Sequence, residues 1–286
     1  MASVVFAGVG KDCGIHLPKV FQNLERQAEL FSNVGYIFVE NDSEDNTKAR
    51  LQSWGSTKKN FHLLNMDGVA QIATRTVRLE LLRNICIQYI RSNTTLSSFD
   101  YLVLLDMDEV STQEVDLGKI QEAINFLSAK DSRAAVFPNQ LGAYYDMWAL
   151  RHGELCPGDA WEAVLDCVQE KKISDAEAFA ETFGRRIFSI PLDGGYIEVD
   201  SAFGGLGIYK MKYVLNNLNP YLGSKVKILK GENDEVAILR LQTCEHVHFN
   251  LGIKSLGGQL FIKSDLINST NDGINFPPSY FRTIIF

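Results

Sequence analysis

The chain has 286 residues, 45% hydrophobic and 22% charged, with a formal net charge of −7. This composition excludes a disordered or fibrous protein, and the acidic balance argues against non-specific binding to nucleic acid or an anionic membrane while leaving room for a local basic pocket. Five scattered cysteines without a Cys-x-x-Cys pair suggest neither a disulfide framework nor a zinc knuckle. No apolar run approaches the roughly 18 residues that span a bilayer, and the start lacks a basic and then apolar leader pattern, so a soluble cytoplasmic protein in a reducing compartment is expected.

Ser3 to Val9 reads as a first strand, and Leu17, Val20, Phe21, Leu24, Ala28 and Phe31 recur at helical spacing directly after it. A second strand, Gly35 to Glu40, ends in the polar cluster Asn41 to Asn46, which can turn the chain and cap a short helix carrying Ala49 and Leu51. Phe61 to Leu64 is a third strand. A long helix follows, with Val77, Leu81, Leu82, Ile85, Cys86, Tyr89 and Ile90 on its buried side and Arg75, Arg78 and Arg83 distributed around it. Tyr101 to Leu105 is an unbroken apolar run, the pattern of a strand buried on both faces in a parallel sheet. Leu117, Ile120, Ile124 and Leu127 mark another helix, and Ala134 to Phe137 a strand that stops before Pro138. Alternation of strand and helix up to about residue 138 specifies an α/β fold with a central, mostly parallel sheet flanked by helices. The second half is less regular, yet composition does not shift and no linker intervenes. A single domain over 1–286 is expected, with 1–138 and 139–286 as its two faces.

The chemistry starts where the apolar strand ends, in Asp106-Met107-Asp108-Glu109. Aspartates two apart in extended backbone project to the same side, about 6 to 7 Å apart along the chain, and repel each other unless a cation lies between them. Mg2+ or Mn2+ suits oxygen donors and keeps a substrate's phosphates as further ligands. No Gly-x-x-x-x-Gly-Lys-Ser/Thr accompanies the pair, which excludes a P-loop enzyme, and the spacing is wrong for an EF-hand. A haloacid-dehalogenase-like phosphatase also places Asp-x-Asp after an apolar strand, but near the start of the fold, whereas about 100 residues precede it here. That phosphatase and a non-catalytic carbohydrate-binding protein are the alternatives.

Glu40-Asn41-Asp42-Ser43, Asp106-Met107-Asp108, Phe203-Gly204-Gly205-Leu206-Gly207 and Cys244-Glu245-His246-Val247, in this order, resemble a metal-dependent glycosyltransferase of the GT-A (Rossmann-like) fold. The nearest flavour is the fungal capsule-associated transferases and the small glycosyltransferases of large algal viruses, and the resemblance spans roughly residues 3 to 250. It implies a hexosyl- or pentosyltransferase, inverting, that moves a sugar from a nucleotide diphosphate sugar, UDP before GDP, to a glycan acceptor. Asp106 and Asp108 would hold the cation on the diphosphate, with Met107 between them on the donor. A late histidine would complete the metal site. His246 and His248 alternate along an expected strand and point the same way, and His246 lies inside the matching motif. Gly8, Val9, Glu40 and Asp42 would meet the nucleoside, and Arg75 or Arg78 the pyrophosphate. Gly204 and Gly205 would let the backbone approach the donor sugar. Asp234-Glu235 resembles the acidic pair that opens a helix in inverting enzymes, which makes Glu235 or Asp234 the general base, with Glu245 and Asp200 as rivals. Tyr144, Tyr145, Trp148 and Trp161 are candidates for stacking on sugar rings.

Overall fold

A computed structural model describes residues 1–230 and 235–271. The first half runs β1 (Ser3–Gly10), α1 (Leu17–Ala28), β2 (Asn33–Glu40), α2 (Thr47–Gly55), β3 (Phe61–Asn65), α3 (Arg75–Ser92), α4 (Thr94–Ser97), β4 (Tyr101–Asp106), α5 (Leu117–Ala129) and β5 (Arg133–Gly142). The second continues with α6 (Ala160–Lys171), α7 (Asp175–Glu181), β6 (Tyr196–Val199), β7 (Leu206–Lys210), α8 (Met211–Asn216), β8 (Ser224–Lys230), β9 (Val236–Gln242), α9 (Glu245–Ser255) and β10 (Gln259–Asn271).

Eight of these strands form one sheet in the order β3-β2-β1-β4-β7-β5-β10-β6, to which both halves contribute. β7 runs antiparallel to β4 and β5, and β6 antiparallel to β10. The remaining neighbours are parallel. β8 and β9 form a separate two-stranded ribbon.

β4 shows why the apolar run had to be a central strand. Leu102 and Leu104 enter one core with Leu82, Cys86, Ile87 and Ile90 of α3, while Tyr101, Val103 and Leu105 enter the other with α1 and α5. Each such buried aliphatic side chain contributes about 1.5–3 kcal/mol. The strand end that carries the aspartates is thereby fixed on both faces.

Two expectations change. Pro138 does not end the strand: β5 runs through it to Gly142. Phe137 pairs with Ile262 and Asn139 with Ile267, so the proline lies where the register with β10 slips and no ladder bond is owed. The apolar side of α3 is also rotated from the expected one. Leu81 is exposed, whereas Thr76, Leu82, Arg83, Cys86, Ile87 and Ile90 are buried. An arginine thus stands on the core face.

Candidate active site

Val9 at the end of β1 lies opposite Asp106 at the end of β4. From this pair the sheet order runs outward through β2 and β3 on one side and β7 on the other. Such a reversal of strand order opens a crevice at the carboxyl ends of the strands, the usual ligand position in open α/β sheets. Two cavities meet there, of about 200 and 330 Å3. Arg75, Leu79, Asp106 and Asp108 line both, so the acidic pair stands at the divide.

Asp106 and Asp108 face this crevice, and Met107 between them packs into the core while also lining the smaller cavity. Asp108 accepts the Val110 N–H at 3.2 Å and caps a short 3-10 turn. The surrounding protein, and then the Asp106 carboxylate, hold its pKa above the usual carboxylate range, although its outer side is open to solvent. Two acids set this close on one crevice suit a cation. Asp106 gives Oδ1 to Arg83 Nη2 at 2.9 Å, which leaves Oδ2 for a metal. Among the described residues no group of three His, Cys, Asp or Glu side chains is arranged as a ready cage. A hard cation bound by one or two carboxylates, waters and substrate phosphates fits this donor set.

The smaller cavity lies on the side of β1, β2 and the start of α3. Val9, Asn41, Arg75 and Arg78 reach it. Among the described residues the Arg75 side chain makes no hydrogen bond or ion pair, and its charge acts on Asp108 at the crevice. Arg78 donates from Nη1 to the Ile72 and Ala73 carbonyls. Other residues assigned to the nucleoside have structural duties. A Cβ on Gly8 would lie 2.7 Å from Met107 Sδ, so this glycine makes room for that side chain. Asp42 is occupied by the Gly68 and Ala70 N–H groups, which hold its pKa below the usual range. Glu40 is buried and accepts the Ser43 N–H, but its Oε2 has no hydrogen-bond partner.

The glycine stretch is a turn. Gly204 and Gly205 have φ of +64° and +83°, and a Cβ on Gly205 would fall 2.3 Å from Val110 Cγ1. The Gly205 carbonyl accepts the Asp106 N–H at 3.0 Å. Neither glycine lines the two cavities, so they brace the metal-side strand end.

The larger cavity is walled by Tyr145, Asp146, Trp148, Trp161, Glu245 and His246. His246 and His248 lie on a helix, α9, and not on a strand, so they do not share a face. His248 is turned toward the Pro220 carbonyl. His246 is 3% exposed, stacks on Phe203, and neither ring nitrogen has a hydrogen-bond partner. Burial, and then the Arg83 charge, hold its pKa well below the usual histidine value, so the ring is neutral.

Glu245 is the acid that opens a helix here; Glu235 precedes the first residue of β9 on the separate ribbon and is exposed. Asp234 lies outside the described residues. Asp200 pairs with Lys254. Tyr144 is fully buried against Phe188, which leaves Tyr145, Trp148 and Trp161 as the aromatics on the cavity wall.

Two residues were not legible as site residues. Arg83 is 3% exposed and bridges Asp106 and Glu245, donating from Nε to Glu245 Oε1 at 3.0 Å. Its position among Leu82, Cys86, Ile87 and Ile90 was the signal available. Asp146 is half-buried and accepts the Gly204 N–H at 2.8 Å and the Ala149 N–H at 3.2 Å. Burial first, with Asp106 and Glu245 adding to it, pushes its pKa up to about 6. An acid inside the aromatic run Tyr144 to Trp148 was its only mark.

No protein-family model matches the chain, and no curated protein matches it. Solved structures do. S. aureus TarS 1-349 in complex with UDP is 11% identical, with a TM-score of 0.50 over 93% of this chain and 59% of that one. The mannosyltransferase PcManGT from Pyrobaculum calidifontis, in complex with GDP-Man and Mn2+, is 12% identical, with a TM-score of 0.50 over 98% of this chain and 59% of that one. The chain therefore spans about three fifths of the length of these structures. At such identities the likeness speaks for architecture alone. The order of strands, the helices on both faces and these neighbours together show that the chain has the GT-A fold of the glycosyltransferases.

Proposed function

We propose that the protein is a metal-dependent glycosyltransferase that moves a sugar from a nucleotide diphosphate sugar, UDP- or GDP-linked, to a hydroxyl of a glycan acceptor with inversion. One observation carries this reading: Asp106 and Asp108 stand on the wall shared by two cavities at the strand-order reversal, with Arg75 beside them. The neighbours crystallised with UDP or with GDP-Man and Mn2+ support it at the level of fold.

In this reading the smaller cavity takes the nucleoside, between the Val9 strand end and Asn41. Asp106 and Asp108 hold Mn2+ or Mg2+, which when bound neutralises charge on the leaving diphosphate. Arg75 supplies a fixed cation to the same phosphates. Arg83 keeps Asp106 in place from below and takes Glu245 as its second counter-ion. The larger cavity holds the transferred sugar and the acceptor, and Tyr145, Trp148 and Trp161 offer faces for sugar rings while keeping water out.

Thermal-shift titration of UDP, GDP and CDP, each with and without Mn2+, tests the reading. Stabilisation by UDP or GDP only when Mn2+ is present is expected. A protein that no nucleotide stabilises under either condition is not this enzyme.

A further inference from the structure

Two acids reach the larger cavity from the side away from the nucleotide, and they are built differently. Glu245 is 4% exposed and committed to Arg83 through Oε1. It serves as the counter-ion of a buried arginine, and removing it would strand that charge. Among the described residues Asp146 has no cationic partner. Its oxygens are held by two main-chain donors, Gly204 N–H on Oδ2 and Ala149 N–H on Oδ1. Each oxygen retains a lone pair, and the two bonds fix how the carboxylate faces the cavity.

Trp148 and His246 share the cavity wall with Asp146, but among the described residues Trp148 Nε1 and both ring nitrogens of His246 are buried without a hydrogen-bond partner and are closed to a ligand in the cavity.

We infer that Asp146 is the catalytic base for the acceptor. This assignment rests on the transferase reading above. In the step, a bond forms between the acceptor oxygen and the anomeric carbon of the donor sugar, while the bond from that carbon to the phosphate oxygen breaks. The acceptor's hydroxyl proton passes to Asp146, and the electron pair of the broken bond leaves with the nucleoside diphosphate. The charged and titratable groups around Asp146 include Asp106 and Glu245, with Tyr144, Tyr145 and Cys244, and Arg75, Arg83, Asp108 and His246 stand on the same cavity wall. Burial first, and then the Asp106 and Glu245 carboxylates, favour the proton on Asp146, which brings its basicity close to the working range of a general base.

The test uses the full chain with Mn2+, UDP-glucose and GDP-mannose as donors and a panel of methyl glycosides as acceptors, reading nucleotide diphosphate release and, separately, UDP and GDP affinity by calorimetry. Asp146→Asn is expected to keep nucleotide affinity within about twofold and to lower kcat by about 10²–10⁴-fold. An Asp146→Asn enzyme within tenfold of the wild-type kcat overturns the assignment. Should that variant fail to fold, the wild-type kcat at saturating Mn2+ decides: a rate that stays constant from about pH 8 down to about pH 4 overturns it, because a carboxylate base must lose activity on protonation. Failure of UDP and GDP to bind the wild type with Mn2+ overturns the transferase reading itself, an outcome that calorimetry separates from loss of the base.

Discussion

The two cavities that meet at Asp106 and Asp108 are built on different principles. The smaller one is assembled from strand ends and the first turn of α3, all within the first 108 residues, and its key cation, Arg75, faces the crevice and acts on Asp108. The larger one draws on segments from Arg75 to His246 and depends on the Arg83 bridge, which ties α3, β4 and α9 together. The difference teaches where tolerance lies. A cavity made of local elements can lose a contact and keep its shape, whereas one held by one buried cation between two acids cannot.

The most severe way to break this contrast is at the bridge. Arg83→Met should cost about 3–5 kcal/mol of stability by leaving two carboxylates without their counter-charge, measured as the loss in unfolding free energy in urea. A loss below about 1 kcal/mol would show that the bridge does not organise the larger cavity. Next comes the shared wall: Asp108→Ala should remove the Mn2+-dependent part of nucleotide binding altogether, and a variant that retains the full metal-dependent shift would refute the cation assignment. Arg75→Ala should weaken nucleotide affinity about 10- to 100-fold, the range for a charge-assisted bond of about 1.5–3 kcal/mol, with melting behaviour unchanged.

The pH dependence sharpens the acceptor side. Asp146 must be a carboxylate to accept a proton, and in the metal-free protein its pKa is held up to about 6. Turnover at saturating Mn2+ should therefore fall about tenfold per pH unit below a limb at or under pH 6, since a bound cation favours the carboxylate. Asp146→Asn should abolish that limb, and Glu245→Gln should keep it. The smallest effect belongs to the ribbon: Glu235→Gln should leave kcat within about twofold of wild type, and a large loss there would return the base to the β8–β9 hairpin.

Much of the smaller cavity's framework was legible in the chain. The run Tyr101 to Leu105 reads as a two-faced strand because every residue is apolar, and its acidic end follows from the alternation of extended backbone. Other assignments failed for local reasons. Asp42 and Gly8 occupy the right strand ends, yet one is consumed by the Gly68 and Ala70 N–H groups and the other by the bulk of Met107. Glu235 was read as a helix opening, and the helix opens ten residues later, at Glu245. A short alternating run such as Val236 to Gln242 carries no local mark that separates a solvated ribbon from a helix start.

The sequence by itself determined the α/β order, the central strand and the acidic pair at its end, because these depend on periodicity within single elements. Tertiary structure alone decided which charges work together. Arg83, Asp106 and Glu245 are 23 and 162 residues from one another along the chain, counted from the arginine, and Asp146 is oriented by a turn 58 residues away. Pairing of buried charges is set by which helix face meets which strand end, and the rotation of α3 that buries Arg83 is fixed by packing on the sheet, which no local pattern encodes.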